Sequence, residues 1–568
     1  MSPGVWYYGN LGNADERMQY WIDNPPASLC IDIETIDLKE RMPLGIGISP
    51  SPLECFYCEL YPEPNLKFLE AIRPMLSRAQ TCKVGSNLLF DLGVIPLIPI
   101  VGNTIDRYNL FDINVAARLK GYEFTALEIL AAAELQKSHK SMQVVWKEHG
   151  VKNNLELIQK VGHQVLADKC AEDCMLEHEL YYKWNKEIRQ QYGQYFIVEM
   201  AVIPLLVDMA LKGIALDTES VEGLIISYSK DVAQLYQKIQ AYGIENPGSP
   251  AQVGYVLAKR GNFLKFTRSK KQYSTDNAEL EFCADELARA VLDYRHKNTF
   301  LTRYLLPIQG KDRFYTEYYM DTGVGRLNSR NMNIQNIPAA NEKLGDPGAR
   351  FIMMPDSGLW ITGDYAQEHL YIIANRSKDP DMLKVYYDPR FEGKRDIHQY
   401  VADELNIPRK IAKTINYALA YGATPKTLSE QAKIKDIRQC SALLDKWFSR
   451  FRTAGNWIKA IQAEGMKTGW AVETLFGRRI KLPEESEDGM RRKAVNYPVL
   501  GSDGEVMKRA LLLSARRGLA PPVLAITVHD SISWDTKDEA KVAAIKPELE
   551  NIAGFKIPFE IKSCFRWE

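Results

Sequence analysis

The segment RKIAKTINYALAYG, residues 409–422, sets Arg409, Lys413, Tyr417 and Tyr421 at intervals of four. On an α-helix a step of four residues turns about 400°, so these side chains form one slowly winding stripe, cationic at its start and aromatic at its end. Such a stripe suits a nucleoside triphosphate. Arg409, as a fork, and Lys413, as a point charge, can hold the β- and γ-phosphates. A phenol ring of Tyr417 or Tyr421 offers a flat face for the base. Two acids supply the remaining chemistry. GLWITGDYAQEHL reads as an apolar strand ending at Asp364, and AITVHDSISW reads as a strand, a turn bearing His529 and Asp530, and a second strand. Alone, each is what a turn former looks like. With the stripe, they suit two Mg²⁺ ions, or Mn²⁺ in their place, that activate a 3′-hydroxyl, brace the α-phosphate and neutralise the departing pyrophosphate.

A second set of acids lies near the N-terminus. CIDIETID places Asp32 and Glu34 two apart on a strand, hence on one face. By itself that pattern is also a solvated strand face. GSNLLFDL adds Asn87 and Asp91, and KCAEDCMLEHEL adds Asp173 near the start of a helix. Four such acids can converge on two divalent ions roughly 4 Å apart, the arrangement used for phosphodiester hydrolysis.

Positioning these groups takes more than one core. A chain of 568 residues suggests about three or four domains. From about residue 28 to 185 strand-like and helix-like runs alternate, which implies an α/β unit. Beyond it long amphipathic helices dominate, and strand patterns return at the two acid-bearing segments. Basic and acidic residues balance at 72 each, which excludes a uniformly basic nucleic-acid coat but not local basic grooves. Nine scattered cysteines do not form a secreted disulfide framework, and Cys55 and Cys58 read as packed strand thiols. MSPGVWYYGN lacks the features of a signal peptide, and the apolar stretches are short or interrupted, so no membrane span is expected. A cytoplasmic chain is the expectation.

The order D-x-E, N-x-x-x-D, D resembles the 3′→5′ exonuclease domains of RNase H-like fold. GDYAQEHL, RKIAKTINYALAYG and TVHDSIS resemble motifs A, B and C of family A, polymerase I-like, DNA polymerases. The resemblance covers nearly the whole chain. It implies a multidomain α/β and α+β protein: an RNase H-like exonuclease domain over residues 1–190, then a right-hand polymerase domain over 191–568. Within the latter it implies a thumb at about 218–305, a palm at about 306–365 and 490–568, and fingers at about 366–489. The basic stretch KRGNFLKFTRSKK, with Lys270 and Lys271, suits thumb contacts to DNA phosphates. GRLNSRNMNIQNIP carries over Arg326, Gln335 and Asn336 as primer-template contacts, and Arg492, Asn496 and His529 join them. His398 falls near the triphosphate. Primer-template DNA and dNTPs are the implied partners, with a replisome helicase or primase as a further one. The resemblance further implies a monomer with no thioredoxin-binding insertion. A compact phage-type replicative enzyme in bacterial cytoplasm is the simplest inference.

Departures from the family pattern matter. Where relatives carry Tyr four, or His five, residues before the last exonuclease Asp, this chain has Lys169 and Asp168. An exonuclease with an altered water-positioning group is expected. Motif A has His369 in place of the Glu that blocks a ribose 2′-hydroxyl, with Glu368 one position earlier, so both are assigned to the nucleotide site and unusual sugar discrimination is expected. Ser531 replaces the Glu of motif C, Leu500 a Gln that touches the minor groove, and Tyr417 a common Phe. A phenol at that position should let dideoxynucleotides be accepted readily. Three other readings differ in kind: a nuclease whose C-terminal part only binds DNA, a non-enzymatic primer-template scaffold, and a single-subunit RNA polymerase.

Overall fold

Six strands build the N-terminal layer: β1 Val5–Tyr8, β2 Ser28–Thr35, β3 Pro43–Ser51, β4 Glu54–Glu59, β5 Cys82–Gly85 and β6 Leu110–Asp112. They appear in a computed structural model that describes residues 5–38, 40–102, 104–267, 271–338, 348–391, 395–420, 422, 424–432, 434 and 436–567. The sheet order is β1-β4-β3-β2-β5-β6, antiparallel through β2 and parallel from β2 to β5 and β6. This is the α/β layer that the alternating sequence pattern implies. Its central strand, β2, is buried along almost its whole length, because strands and helices cover it on all sides. Ile31 and Ile33 enter the core, and the alternate register turns Asp32 and Glu34 to the other face.

Helix α1, Leu88–Val94, carries Asp91, and Asn87 before it adopts φ 61°. Helix α2 runs from Gln164 to Lys212, with its helical geometry broken at Gly193. Asp173 therefore lies well inside this helix rather than near its start, because the helical pattern extends upstream through Gln164. Gly47 on β3 lets α2 approach closely, since a Cβ there would lie 2.6 Å from Cys170 Sγ. By length and composition α2 could cross a bilayer, but 56% of its most apolar stretch is buried inside the protein. Those apolar residues are core. Cys55 and Cys58 are both buried on β4, as packed strand thiols should be.

The second sheet is fully antiparallel. Its strands β7 Trp360–Tyr365, β8 Leu524–Val528, β9 Ser531–Asp535 and β10 Phe559–Cys564 take the order β8-β9-β7-β10. Helices α3 Glu368–Ser377, α4 Ile397–Leu405, α5 Arg409–Ala420 and α6 Glu487–Ser514 share one apolar core with it. Helix α6 is pinned to α2 by the buried pair Lys508–Glu199, whose Nζ lies 2.7 and 2.6 Å from the two carboxylate oxygens. Losing one partner would strand a buried charge at a cost of about 3–5 kcal/mol. Helices Thr218–Gln240 and Glu286–Phe300 contribute to a separate apolar cluster that includes Ile239, Leu257 and Val291.

His178 on α2 is fully buried between Ser28 Oγ, 2.8 Å away, and Ser49 Oγ, 3.3 Å away. Burial pushes its pKa down to about 4. The folded chain thus refuses a proton that the unfolded chain takes up, so stability is full above about pH 6.5 and falls as the pH drops toward 4. At pH 5 this one group should cost about 2 kcal/mol. Comparing denaturation midpoints at pH 7 and pH 5 tests it: His178→Gln should lose that part of the slope, and an unchanged slope would reject it.

Candidate active sites

The second sheet brings the two predicted polymerase acids together. Asp364 lies on β7 opposite Ser531 of β9, and the Tyr365 N–H donates to the Asp530 carbonyl at 3.1 Å. The two acids are therefore diagonal neighbours at one end of the sheet. The turn between β8 and β9 is only two residues long and places His529 at φ 53°, a conformation that non-glycine residues seldom adopt. Burial, then Asp530 and Glu560, push Asp364 above the usual carboxylate range. Burial and then Asp503 do the same to Asp530. Crowded carboxylates of this kind are relieved by cations, so the donor set fits a divalent ion. Ser531 Oγ donates to the Val528 carbonyl at 2.9 Å and adds no charge.

The stripe is partly realised. Helix α5 begins at Arg409, and Lys413 Nζ stands 5.9 Å from the Tyr417 ring centroid. The Tyr417 ring faces His398 at 5.4 Å and His369 at 6.5 Å. Burial and then the charge on Asp530 raise the pKa of its phenol. Arg409 is ion-paired with Asp396 at 2.7 Å, and Asp396 also caps α4. His398 is buried, with Nδ1 3.0 Å from Asn416 Nδ2, and Trp447 Nε1 donates to Asn416 Oδ1 at 2.9 Å. Burial holds His398 near a pKa of about 4, so it is neutral at pH 7. Tyr421 and Lys270 lie outside the described residues.

One acid that sequence reasoning missed organises this pocket. Asp503 on α6 is 1% exposed, ion-paired with Arg326 and 3.8 Å from His369 Nε2. Arg326 Nη2 is also 3.0 Å from His369 Nε2. Burial alone would raise the Asp503 pKa, but His369 and Arg326 together hold it below the usual range. Glu368 points into the same interior, 2% exposed. Burial, then Asp503 and Asp530, push its pKa well above normal. Glu368 is thus a buried neighbour of the site, as the turn of about 100° per helical residue between it and His369 requires. Gly504 permits the close packing, since a Cβ there would meet Arg326 Cα at 3.1 Å. The spacing Arg492, Asn496, Leu500, Asp503 was a legible signal, because it follows the i, i+4, i+8, i+11 stripe of one helix face.

Of the predicted DNA contacts, Gln335 donates to the Leu327 carbonyl at 3.0 Å, whereas Asn336 and Lys271 are exposed. Arg492 and Asn496 lie on α6 one turn apart, with Arg492 exposed.

At the N-terminal sheet, Asp32, Glu34 and Asp173 offer carboxylate oxygens within 4.8 Å of one another. That set fits a divalent ion. Burial, then Asp173, push Asp32 up to about 6, with Lys169 opposing. Asp91 is nearly buried and accepts from the Ile33 N–H at 3.1 Å. Asn154 donates to Glu34 Oε2 at 3.0 Å and to the Thr35 carbonyl at 2.9 Å. Glu177, buried beneath, accepts from Cys30 Sγ at 3.3 Å. Lys169 ion-pairs with both oxygens of Asp173, and His139 Nε2 sits 2.6 Å from Asp173 Oδ1. Burial would lower the Lys169 pKa, but Asp173, Glu34 and Asp32 together raise it. Asp168, meanwhile, turns away and accepts from Tyr8 Oη at 2.7 Å. His139, Asn154 and Glu177 carried no periodic signal in the sequence.

The antiparallel sheet thus presents two neighbouring acids at one end, near the helix that bears Lys413 and Tyr417. The profile of DNA polymerase family A matches residues 218–564, and the chain belongs to that family. DNA polymerase I of Pseudomonas aeruginosa is 25% identical over 595 aligned residues, covering 94% of this chain and 62% of that protein. DNA polymerase I of Rhizobium leguminosarum is 30% identical over 374 residues, covering 60% of this chain and 36% of its own length. The thermostable DNA polymerase I of Thermus aquaticus is 27% identical over 396 residues, 64% of this chain and 47% of that one. The chain thus spans from about a third to three-fifths of the length of these relatives. Among solved structures, the POL domain of Pol1 from M. smegmatis, in complex with DNA primer-template and dNTP, matches with a TM-score of 0.78. That match covers 97% of both chains at 19% identity and speaks to the fold.

Proposed function

We propose that this chain is a template-directed DNA polymerase that adds dNTPs to a primer 3′-hydroxyl. The observation that carries the reading is the placement of Asp364 on β7 beside the two-residue β8–β9 turn that holds Asp530. A divalent ion held by those acids, Mg²⁺ by preference, would supply Lewis-acid polarisation of the phosphate and ease loss of the hydroxyl proton. Lys413 and Arg409 bind the triphosphate, the latter after release from Asp396. The Tyr417 ring packs on the incoming nucleotide, and His369, fixed by Arg326, stands where a sugar edge would lie. Neutral His398 donates or accepts a hydrogen bond without adding charge. Closure of α5 over a matched pair would complete the constellation.

The N-terminal acids are read as a 3′→5′ exonuclease centre altered at Lys169. The boundaries 1–190 and 191–568, with thumb, palm and fingers as in the family pattern, belong to this reading. So do primer-template DNA as partner, a helicase or primase as further partner, a monomeric state, and a replicative role of phage type in bacterial cytoplasm. One primer-extension gel tests the two activities, with dNTPs, with rNTPs and without nucleotide, for wild type, Asp364→Ala and Asp32→Ala. Synthesis lost only in Asp364→Ala and resection lost only in Asp32→Ala are the expected results. Retained DNA affinity without dNTP-dependent extension in wild type would favour the scaffold reading instead.

Tyr417 carries a separate expectation. Its phenol can replace the hydrogen bond lost with a missing 3′-hydroxyl. Tyr417→Phe should therefore raise discrimination against dideoxynucleotides by about ten- to a hundred-fold, the worth of one hydrogen bond to a charged group. Equal incorporation ratios in single-turnover assays would reject that role.

A further inference from the structure

We propose that the N-terminal centre binds a single divalent ion, on Asp32 and Glu34, and that the Lys169 ammonium takes the place of a second. The inference rests on the nuclease reading above and deepens it. Asp173 is the acid least free to serve an ion. Both of its oxygens are engaged by Lys169, and His139 Nε2 lies 2.6 Å from one of them and 3.1 Å from Lys169 Nζ. These two nitrogen groups are themselves enclosed, with side chains 8% and 1% exposed. A surface lysine swings away at little cost, whereas this one is sequestered among three carboxylates. Leaving would require it to abandon its counter-ion inside a protein interior. Glu34, by contrast, accepts from the Asn154 amide through Oε2, and its carboxylate offers an oxygen within 4.8 Å of one on Asp32.

The chemistry follows from charge. A phosphodiester attacked at this centre needs positive charge on both sides of the reacting phosphorus. One side would be served by the ion on Asp32 and Glu34, the other by a fixed ammonium that cannot ionise a water as a metal does. Slow resection, dependent on a single ion, is the functional consequence.

Manganese binding to the full-length chain tests this directly, by calorimetry and by electron paramagnetic resonance. An Asp364→Ala, Asp530→Ala background assigns the count to the N-terminal acids. One Mn²⁺ per chain is expected there, with no spin-coupled pair. Lys169→Met, close in shape and uncharged, should bind two, and Lys169→Arg, which keeps the charge, should stay at one. Two ions in the Lys169 chain, or a count of one in Lys169→Met, would overturn the proposal while leaving the nuclease reading intact. If adding Asp32→Ala removes no bound Mn²⁺, the nuclease reading itself fails.

Discussion

Asp530→Ala should lower the rate of templated nucleotide addition at least about a thousand-fold, equivalent to about 4 kcal/mol of transition-state stabilisation. Asp364→Ala should do the same. Asp530 lies in the two-residue turn between β8 and β9 and Asp364 on the neighbouring strand β7, and each is already pushed toward its neutral form by burial and by its neighbours. That electrostatic tension has little value for stability, and either alanine should leave the melting temperature unchanged or raised. A large loss of rate with undiminished stability is thus the signature of a site held for charge rather than for packing. Single-turnover incorporation on a defined primer-template, together with thermal melting, measures both. Losses below about ten-fold for both variants would mean that the ions are held elsewhere.

The second large effect concerns Asp503. Its carboxylate fixes Arg326 and lies beside His369, so under the proposed function it acts as a positioning residue for a primer-template contact and for a group at the nucleotide. Asp503→Ala should cost about a hundred-fold in kcat/KM for a dNTP, about 3 kcal/mol, from the loss of charged hydrogen bonds. Asp503→Asn, which keeps the shape and one acceptor, should fall between. A purely structural acid would depress all nucleotides equally. Under the proposed function His369 stands at the sugar edge, so the dNTP to rNTP ratio should shift as well. An unchanged ratio in both variants would show that Asp503 does not act through His369. Its removal also takes a like charge away from Glu368, which should then ionise more readily.

Much of this site was legible in local sequence. Asp32 and Glu34 share a face because strand side chains alternate, and His529 with Asp530 had to form a turn between two apolar runs. Lys413 and Tyr417 share a helix face because four residues nearly complete a turn. These are short-range consequences of backbone geometry. The commitment of Arg409 to Asp396, 13 residues earlier, was not legible. Nor was the support of His398 by Asn416 and, through it, by Trp447.

By itself the sequence determined the kinds of element, the acids they carry and the family that the ordered motifs resemble, since each depends on residues near one another in the chain. Which acid remains free for a cation was decided only by tertiary structure. His139 reaches Asp173 from a loop 34 residues upstream, Lys169 closes on it from within the same helix, and Asp503 finds Arg326 across 177 residues. Packing brings such groups together for reasons spread over the whole core, and no local period records them.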